Sequence, residues 1–81
     1  MVTDEIKAYA VEPKSLDDTR IVRLPEVKLL TGLSRSTVYE RVKAGRFPKP
    51  IPLGGRSVGW LECEVRRWIF KQVETARAHD L

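Results

Sequence analysis

The first apolar and polar pattern with helical spacing lies in the segment 24–32, LPEVKLLTG. Val27 and Leu30 fall on one face at helical spacing, and Pro25 suits the first turn of a helix because its fixed φ and missing N–H cost nothing there. Gly32 can take the left-handed conformation that ends a helix. The segment therefore predicts a short amphipathic helix that stops at Gly32.

A second short helix is predicted over residues 35–44, with Ser34 as its N-cap. Val38, Tyr39 and Val42 form its buried stripe at 100° per residue. Two short helices joined by a glycine turn are typical of a helix-turn-helix, although the same arrangement also occurs in helical domains that bind no nucleic acid. The opposite face of the second helix is polar and carries Ser36, Thr37, Glu40 and Lys43, with Arg41 at its edge.

Beyond the second helix, prolines at positions 48, 50 and 52 exclude a helix. Residues 51–53 and 58–60 form two extended stretches on either side of Gly54 and Gly55. This pattern predicts a short β-hairpin whose first strand lies at the edge of a sheet.

The predicted hairpin exposes Arg56 at its tip and Lys49 near its base. A two-stranded projection that directly follows a helix-turn-helix is typical of the wing of a winged-helix protein, which touches a neighbouring groove or phosphates. We expect Arg56 to enter a narrow minor groove, because the negative potential there attracts a guanidinium. The alternative is a purely structural hairpin that closes the core through Trp60.

The strongest helical pattern covers residues 61–78. We expect this helix to cover the hairpin and the first helix, and Phe70 to lie outside its buried stripe. Phe47 is expected to anchor the proline-rich strip to the helix pair. Within residues 20–23, Ile21 is expected to dock on the core, with Arg20 or Arg23 facing solvent or phosphate. The buried stripe of the last helix comprises Leu61, Val65, Trp68, Ile69 and Val73.

The charged residues are distributed unevenly along the chain. Residues 1–19 carry two basic and five acidic groups, residues 20–60 carry nine basic and two acidic groups, and residues 61–81 carry four of each. We therefore predict a mobile acidic arm over residues 1–19 and one winged helix-turn-helix domain over residues 20–81. The basic segment contains the helix-turn-helix, and such a surface attracts polyanions.

The sequence contains one cysteine, Cys63, and one histidine, His79. These counts exclude an intrachain disulfide and a cysteine-rich zinc site, and they argue against a histidine-dependent active site. A glycine-rich phosphate loop, a membrane-length apolar run and a secretory signal are also missing. We expect a cytoplasmic protein without enzymatic activity, metal, cofactor or small-molecule substrate.

Residues 23–69 combine the runs LPEV, TGLSRSTVY, GRFPKP and LGGR with a tryptophan just before an acidic helix start. This combination resembles the AlpA-type regulators of phages and prophages, small winged-helix proteins related to excisionases and to the DNA-binding part of the MerR group. The resemblance implies control of transcription or of excision, with the second helix in the major groove and the wing beside it. It also implies DNA contacts by Arg35, Ser36, Thr37, Tyr39, Glu40, Lys43 and Arg56.

The predicted fold is mainly α with a small β-hairpin, a winged helix-turn-helix closed by a C-terminal packing helix. The predicted function is sequence-specific binding of double-stranded DNA, as a transcriptional regulator of a prophage or other integrated element. Ser36, Thr37 and Glu40 are expected to discriminate bases, and the phenol of Tyr39 to reach a phosphate. Other phosphate contacts are expected from Arg35, Arg41, Lys43, Lys49 and Arg56.

Three alternatives remain open at this point. An excisionase would bend DNA at an attachment site, and a phage terminase small subunit would bind DNA for packaging. A protein-binding adaptor would use Phe70 and the acidic arm instead. Self-association on adjacent DNA sites, or as a dimer through the C-terminal helix, is a further expectation.

Overall fold

The computed structural model describes residues 18–79. The predicted arm, apart from its last two residues, lies outside this range. In chain order the elements are β1 (Ile21–Val22), α1 (Leu24–Thr31), α2 (Arg35–Lys43), β2 (Ile51–Gly54), β3 (Ser57–Leu61) and α3 (Glu62–His79).

The two predicted short helices are confirmed, and both turn signals act as expected. α1 ends at Gly32, whose φ of 76° is left-handed and whose N–H donates to the Lys28 carbonyl oxygen at 2.7 Å. α2 begins after Ser34, whose hydroxyl oxygen accepts from the backbone N–H of Thr37 at 3.2 Å. The turn between the helices is therefore fixed by local hydrogen bonds.

The predicted hairpin is confirmed as β2 and β3, but it belongs to a three-stranded antiparallel sheet with the order β1-β3-β2. β2 is an edge strand, as Pro50 and Pro52 indicate, because proline has no backbone N–H to donate to a neighbouring strand. β1 pairs Ile21 with Leu61 and Val22 with Trp60. The sheet thus ties the start of the domain to the strand that precedes α3.

The expectation that Ile21 docks on the core is wrong, because Val22 takes that place. Val22 is buried, whereas Ile21 is 37% exposed. Neighbouring residues of a strand point to opposite faces, and pairing with β3 places Val22 on the core side. Ile21 instead crosses Gly59, where an added Cβ would lie 2.5 Å from Ile21 Cγ2, so β3 needs a glycine at this position.

The core lies between the sheet and the three helices of the described range. Phe47 and Trp68 pack edge to face with ring centroids 4.9 Å apart, and the Trp60 indole N–H donates to the Pro48 carbonyl oxygen at 2.9 Å. Phe47 therefore anchors the proline-rich strip in the core, as predicted, and the hydrogen bond of Trp60 to Pro48 adds a second anchor. The buried core residues are Val22, Val27, Val38, Phe47, Trp60, Val65 and Trp68.

The C-terminal helix starts one residue later than predicted, because Leu61 is the last residue of β3. Val65 and Trp68 are buried as expected, but Val73 is 39% exposed. The prediction of Val73 as a core residue is wrong because the apolar period continues along α3 past the region that the rest of the domain covers. Phe70 is 60% exposed, as predicted.

Three helices and a small antiparallel sheet in this order confirm the winged helix-turn-helix fold. Within residues 18–79, no helix combines the length and the apolar character needed to cross a membrane. The wing is the hairpin formed by β2, β3 and the turn at Gly55 and Arg56.

Candidate nucleic-acid interface

The outer face of α2 is solvent-facing and polar. Ser36, Glu40 and Lys43 are exposed, whereas Thr37 is half-buried. The Ser34 hydroxyl donates to Thr37 Oγ1 at 2.9 Å, and the Ser34 and Ser36 hydroxyl oxygens are 3.3 Å apart. These hydrogen bonds orient the hydroxyl groups at the start of α2, so the helix presents a defined row of donors and acceptors.

The sheet flank of α2 carries Arg35 and Tyr39. The half-buried Tyr39 ring packs edge-on against Trp60 of β3, with the centroids 6.1 Å apart. The Arg35 guanidinium carbon lies 5.3 Å from the centroid of the Tyr39 ring, a cation–π distance. Tyr39 therefore links Arg35 to the sheet, which keeps a positive charge beside the polar face of the helix.

The α3 flank of α2 carries Arg41. Arg41 lies two positions after Tyr39 in the sequence, which places the two side chains roughly 200° apart around the helix. The Arg41 guanidinium carbon lies 6.0 Å from the centroid of the Trp68 ring. The sequence placed Arg41 at the edge of the polar face, and the structure shows that it leans toward α3.

The wing presents the remaining predicted basic residues. Arg56 is exposed in the turn, which is built from Gly54 and Gly55 with φ values of 106° and 57°. Lys49 is exposed ahead of β2. β2 has an irregular register between Pro52 and Gly54, so the strand pairing is perturbed next to the tip.

Acidic side chains are concentrated away from α2 and the wing. Arg20 pairs with Glu26 at 3.2 Å and with Glu62 at 3.0 Å, at the starts of α1 and α3. Arg66 adds a contact to the same Glu62 carboxylate. Glu40 is the one acidic residue from position 27 to position 61, a stretch with seven basic residues. The region of α2 and the wing is therefore strongly positive.

Arg20 and Arg23, one of which was predicted to face solvent or phosphate, both have partners within the domain. Arg20 forms the ion pairs just described, and Arg23 Nε donates to the Val58 carbonyl oxygen at 2.8 Å. Both side chains are exposed, but their charged groups hold the first residues of the domain against β3 and α3. Their contacts across the fold explain why local sequence could not assign them.

Residues outside α2 also face its α3 flank, and they were not among the predicted site residues. The Trp68 indole N–H donates to the Arg46 carbonyl oxygen at 2.7 Å, which brings the third residue after α2 next to α3. On α3 these residues are Trp68, Gln72 and Thr75. Their spacing of four and three places them on one helical face, and this spacing could have predicted that they lie together. These residues line an open cleft with Glu40, Arg41 and Arg46.

The polar helix face, the positive flanks and the wing define a small winged helix-turn-helix protein with an interface suited to a polyanion. The chain belongs to the family described as Prophage CP4-57 regulatory protein (AlpA), whose model matches residues 20–73. The resemblance to AlpA-type regulators is thereby confirmed.

Two curated relatives fit this assignment. The chain is 52% identical over 54 residues to the uncharacterized protein ORF88 of Enterobacteria phage P4, covering 67% of this chain and 61% of that protein. It is 45% identical over 59 residues to the DNA-binding transcriptional activator AlpA of Escherichia coli K12, covering 65% of this chain and 84% of that one. No solved structure matches the chain significantly.

Proposed function

We propose that this protein is a non-enzymatic regulator that binds double-stranded DNA in the cytoplasm and controls transcription from a prophage or other integrated element. The observation that carries the proposal is the exposed polar face of α2, flanked on both sides by arginines held over aromatic rings. Membership of a regulatory family and similarity to a protein named as a DNA-binding activator support it.

In this proposal α2 lies in the major groove. Ser36, Thr37 and Glu40 face base edges, because hydroxyl groups can donate or accept and a carboxylate accepts from the amino group of cytosine. The wing lies beside the helix, with Arg56 directed toward the neighbouring minor groove or its phosphates. The orientation of Ser36 and Thr37 by Ser34 supports this assignment, since ordered side chains lose less entropy on binding.

Phosphate contacts supply most of the affinity. Arg35 and Arg41 are positioned by aromatic rings, and the Tyr39 phenol extends from a half-buried ring on the same side as Arg35. The other proposed phosphate contacts are the exposed residues Lys43, Lys49 and Arg56. If about four to six phosphates are engaged, the logarithm of the association constant should fall with the logarithm of salt concentration at a slope of roughly −4 to −5.

Fluorescence anisotropy of a labelled duplex across a salt series tests this proposal. The duplex should come from a selection against random sequences, and an unselected duplex of equal length serves as the control. We expect tighter binding of the selected duplex at every salt concentration and a steep slope for both. A flat salt response, or equal affinity for both duplexes, contradicts phosphate-driven, sequence-specific binding.

An excisionase is the second candidate, and one surface observation favours it. Phe70 and Val73 are exposed three residues apart on α3, so they form a small apolar area suited to contact between copies bound at adjacent sites. DNase footprinting and a circular-permutation bending assay separate the two roles. A single protected site at a promoter, with a changed transcript level, supports the transcriptional regulator. Several adjacent sites and a bend near an attachment sequence support the excisionase.

A further inference from the structure

An open cleft of about 660 Å³ lies between α2 and the middle of α3. The helix α2 and the residues after it contribute Glu40, Arg41 and Arg46, and α3 contributes Trp68, Gln72 and Thr75. This volume is within the range of pockets that accept a drug-sized molecule. The cleft therefore has room for the sugar and phosphate of a nucleotide.

The chemistry of the cleft suits a phosphodiester. Two guanidinium groups and one carboxylate give it a net positive charge, and Gln72 adds an exposed amide that can donate to a phosphate oxygen. Trp68 lies under Arg41 and also holds the Arg46 carbonyl oxygen. One buried ring thus positions both arginine-bearing segments, so their convergence is a property of the fold.

Groove geometry indicates what runs through the cleft. The major groove is about 12 Å wide, and an α-helix with its side chains is about 10–12 Å across. A helix that enters the groove therefore has a phosphate backbone along each flank. Arg35 and the wing serve the sheet flank of α2, and the cleft opens on the flank that carries Arg41.

We propose that this cleft binds the DNA backbone on the α3 flank of α2, with Arg46 and Gln72 as phosphate contacts from outside the helix-turn-helix and the wing. The inference rests on the proposed function and extends it to the C-terminal helix. Glu40 lines the same cleft and also belongs to the exposed polar face of α2. In this proposal the Glu40 carboxylate faces a base, and its negative charge repels the phosphates of DNA that does not offer it that base.

Matched charge variants test the cleft. Gln72→Glu should weaken binding of the selected duplex roughly tenfold, the loss expected for one hydrogen bond to a charged group. Arg46→Gln should make the salt slope less steep by about one. Arg67→Gln is the control, because it changes the net charge by the same amount from an exposed position about 140° around α3 from Gln72. It should leave the dissociation constant within about twofold, because a distant exposed charge is screened by salt.

Phosphate ethylation interference assigns the flank. Ethylated phosphates that block binding of the wild-type protein mark its phosphate contacts. For Arg46→Gln, ethylation of one of these phosphates should no longer interfere with binding. That phosphate should lie on the DNA strand opposite the one that carries the phosphate affected by Arg56→Ala. All three charge variants should match the wild-type far-UV spectrum, since the replaced side chains are exposed. If Gln72→Glu and Arg67→Gln behave alike, or if the interference pattern is unchanged, the cleft inference fails alone. If the wild-type protein binds no duplex, the proposed function fails with it.

Discussion

Both flanks of α2 carry an arginine packed against an aromatic ring, but the packing around the two rings differs. On the sheet flank Arg35 lies over Tyr39, which packs against Trp60, and on the α3 flank Arg41 lies over Trp68. Each flank thus places a guanidinium beside an aromatic ring. A positive charge is held on both sides of the polar helix face, and within the described part of the chain neither guanidinium forms an ion pair with a carboxylate.

The flanks differ in how the tryptophan is covered. Tyr39 closes the space over Trp60, which is fully buried, whereas Trp68 remains 5% exposed and forms a wall of the open cleft. Both indole N–H groups donate to carbonyl oxygens two residues apart, those of Pro48 and Arg46. The filled sheet flank therefore holds the sheet to the helix, while the α3 flank leaves an open cleft beside the helix.

The largest expected effect is on the filled flank. Trp60→Ala removes a fully buried ring, its hydrogen bond and the contact with Tyr39, so we expect a loss of about 3–5 kcal/mol in the free energy of unfolding. Natural domains of this size have only a small stability margin. Urea denaturation followed by far-UV circular dichroism should show a largely unfolded variant.

Phenylalanine replacements make that comparison quantitative. Trp60→Phe leaves the carbonyl of the buried residue Pro48 without its donor, at a cost of about 1–3 kcal/mol. Trp68→Phe should cost less, because its acceptor belongs to the exposed residue Arg46 and water can replace the indole. Equal urea midpoints for the two variants would contradict the distinction between a filled and an open flank.

The next effect concerns Glu40, which lies between the flanks. Glu40→Gln removes the one carboxylate that, among residues 18–79, lines the cleft, so random duplexes should bind more tightly. The preference for the selected duplex should fall by about 1–3 kcal/mol, because an amide no longer requires the same base partner. Competition anisotropy with both duplexes measures the two changes.

Glu74→Gln is the matched control for Glu40→Gln. It makes the same charge change at an exposed position on α3. We expect it to alter neither affinity nor preference. If Glu40→Gln behaves like this control, Glu40 faces solvent in the complex and has no role in base discrimination.

The local parts of the fold were predictable from the sequence. Gly32, Ser34 and the prolines act within a few residues, so the bounds of α1, α2 and the edge strand follow from local rules. The place of Val22 in the core was not predictable. A two-residue strand has no period to measure, and its side was decided by pairing with Trp60 far along the chain.

The candidate site likewise has one part that was predictable from the sequence and one part that was not. The outward positions of Ser36 and Glu40 follow from the period of one helix. The cleft required the packing of α3, because Arg46 and Gln72 converge only through the contact of Trp68 with the loop after α2. A helical wheel finds one face of one element, and a cleft between two elements needs their packing as well.

A smaller effect is expected at the wing, which extends the sheet flank. Arg56→Ala should weaken DNA binding several-fold and make the salt slope less steep by about one, while the far-UV spectrum stays unchanged because Arg56 is exposed in the turn. Arg56→Lys keeps the charge but loses the guanidinium, so it should restore the slope but not the full affinity if the residue enters a minor groove. Unfolding of Arg56→Ala would instead assign the wing a structural role alone.

The smallest expected effect lies outside both flanks, at Cys63 near the start of α3. Burial, and then the negative charges of Glu64 and Asp18, raise the pKa of the Cys63 thiol above its ordinary value. The folded state therefore holds this proton at a pH where the unfolded chain has released it. Its contribution to stability is fully present below the unfolded pKa and is lost as the pH rises through the folded pKa.

The measurement is the urea midpoint between pH 7 and pH 10, compared for wild-type protein and Cys63→Ser. The wild-type midpoint should fall slightly more steeply above about pH 8.5, the region where an unperturbed thiol titrates. The difference should be small because Cys63 is only half-buried and solvent screens its neighbours. Parallel curves would contradict the raised pKa, and a change in DNA affinity of Cys63→Ser at pH 7 would mean that the interface reaches beyond the two flanks of α2 and the wing.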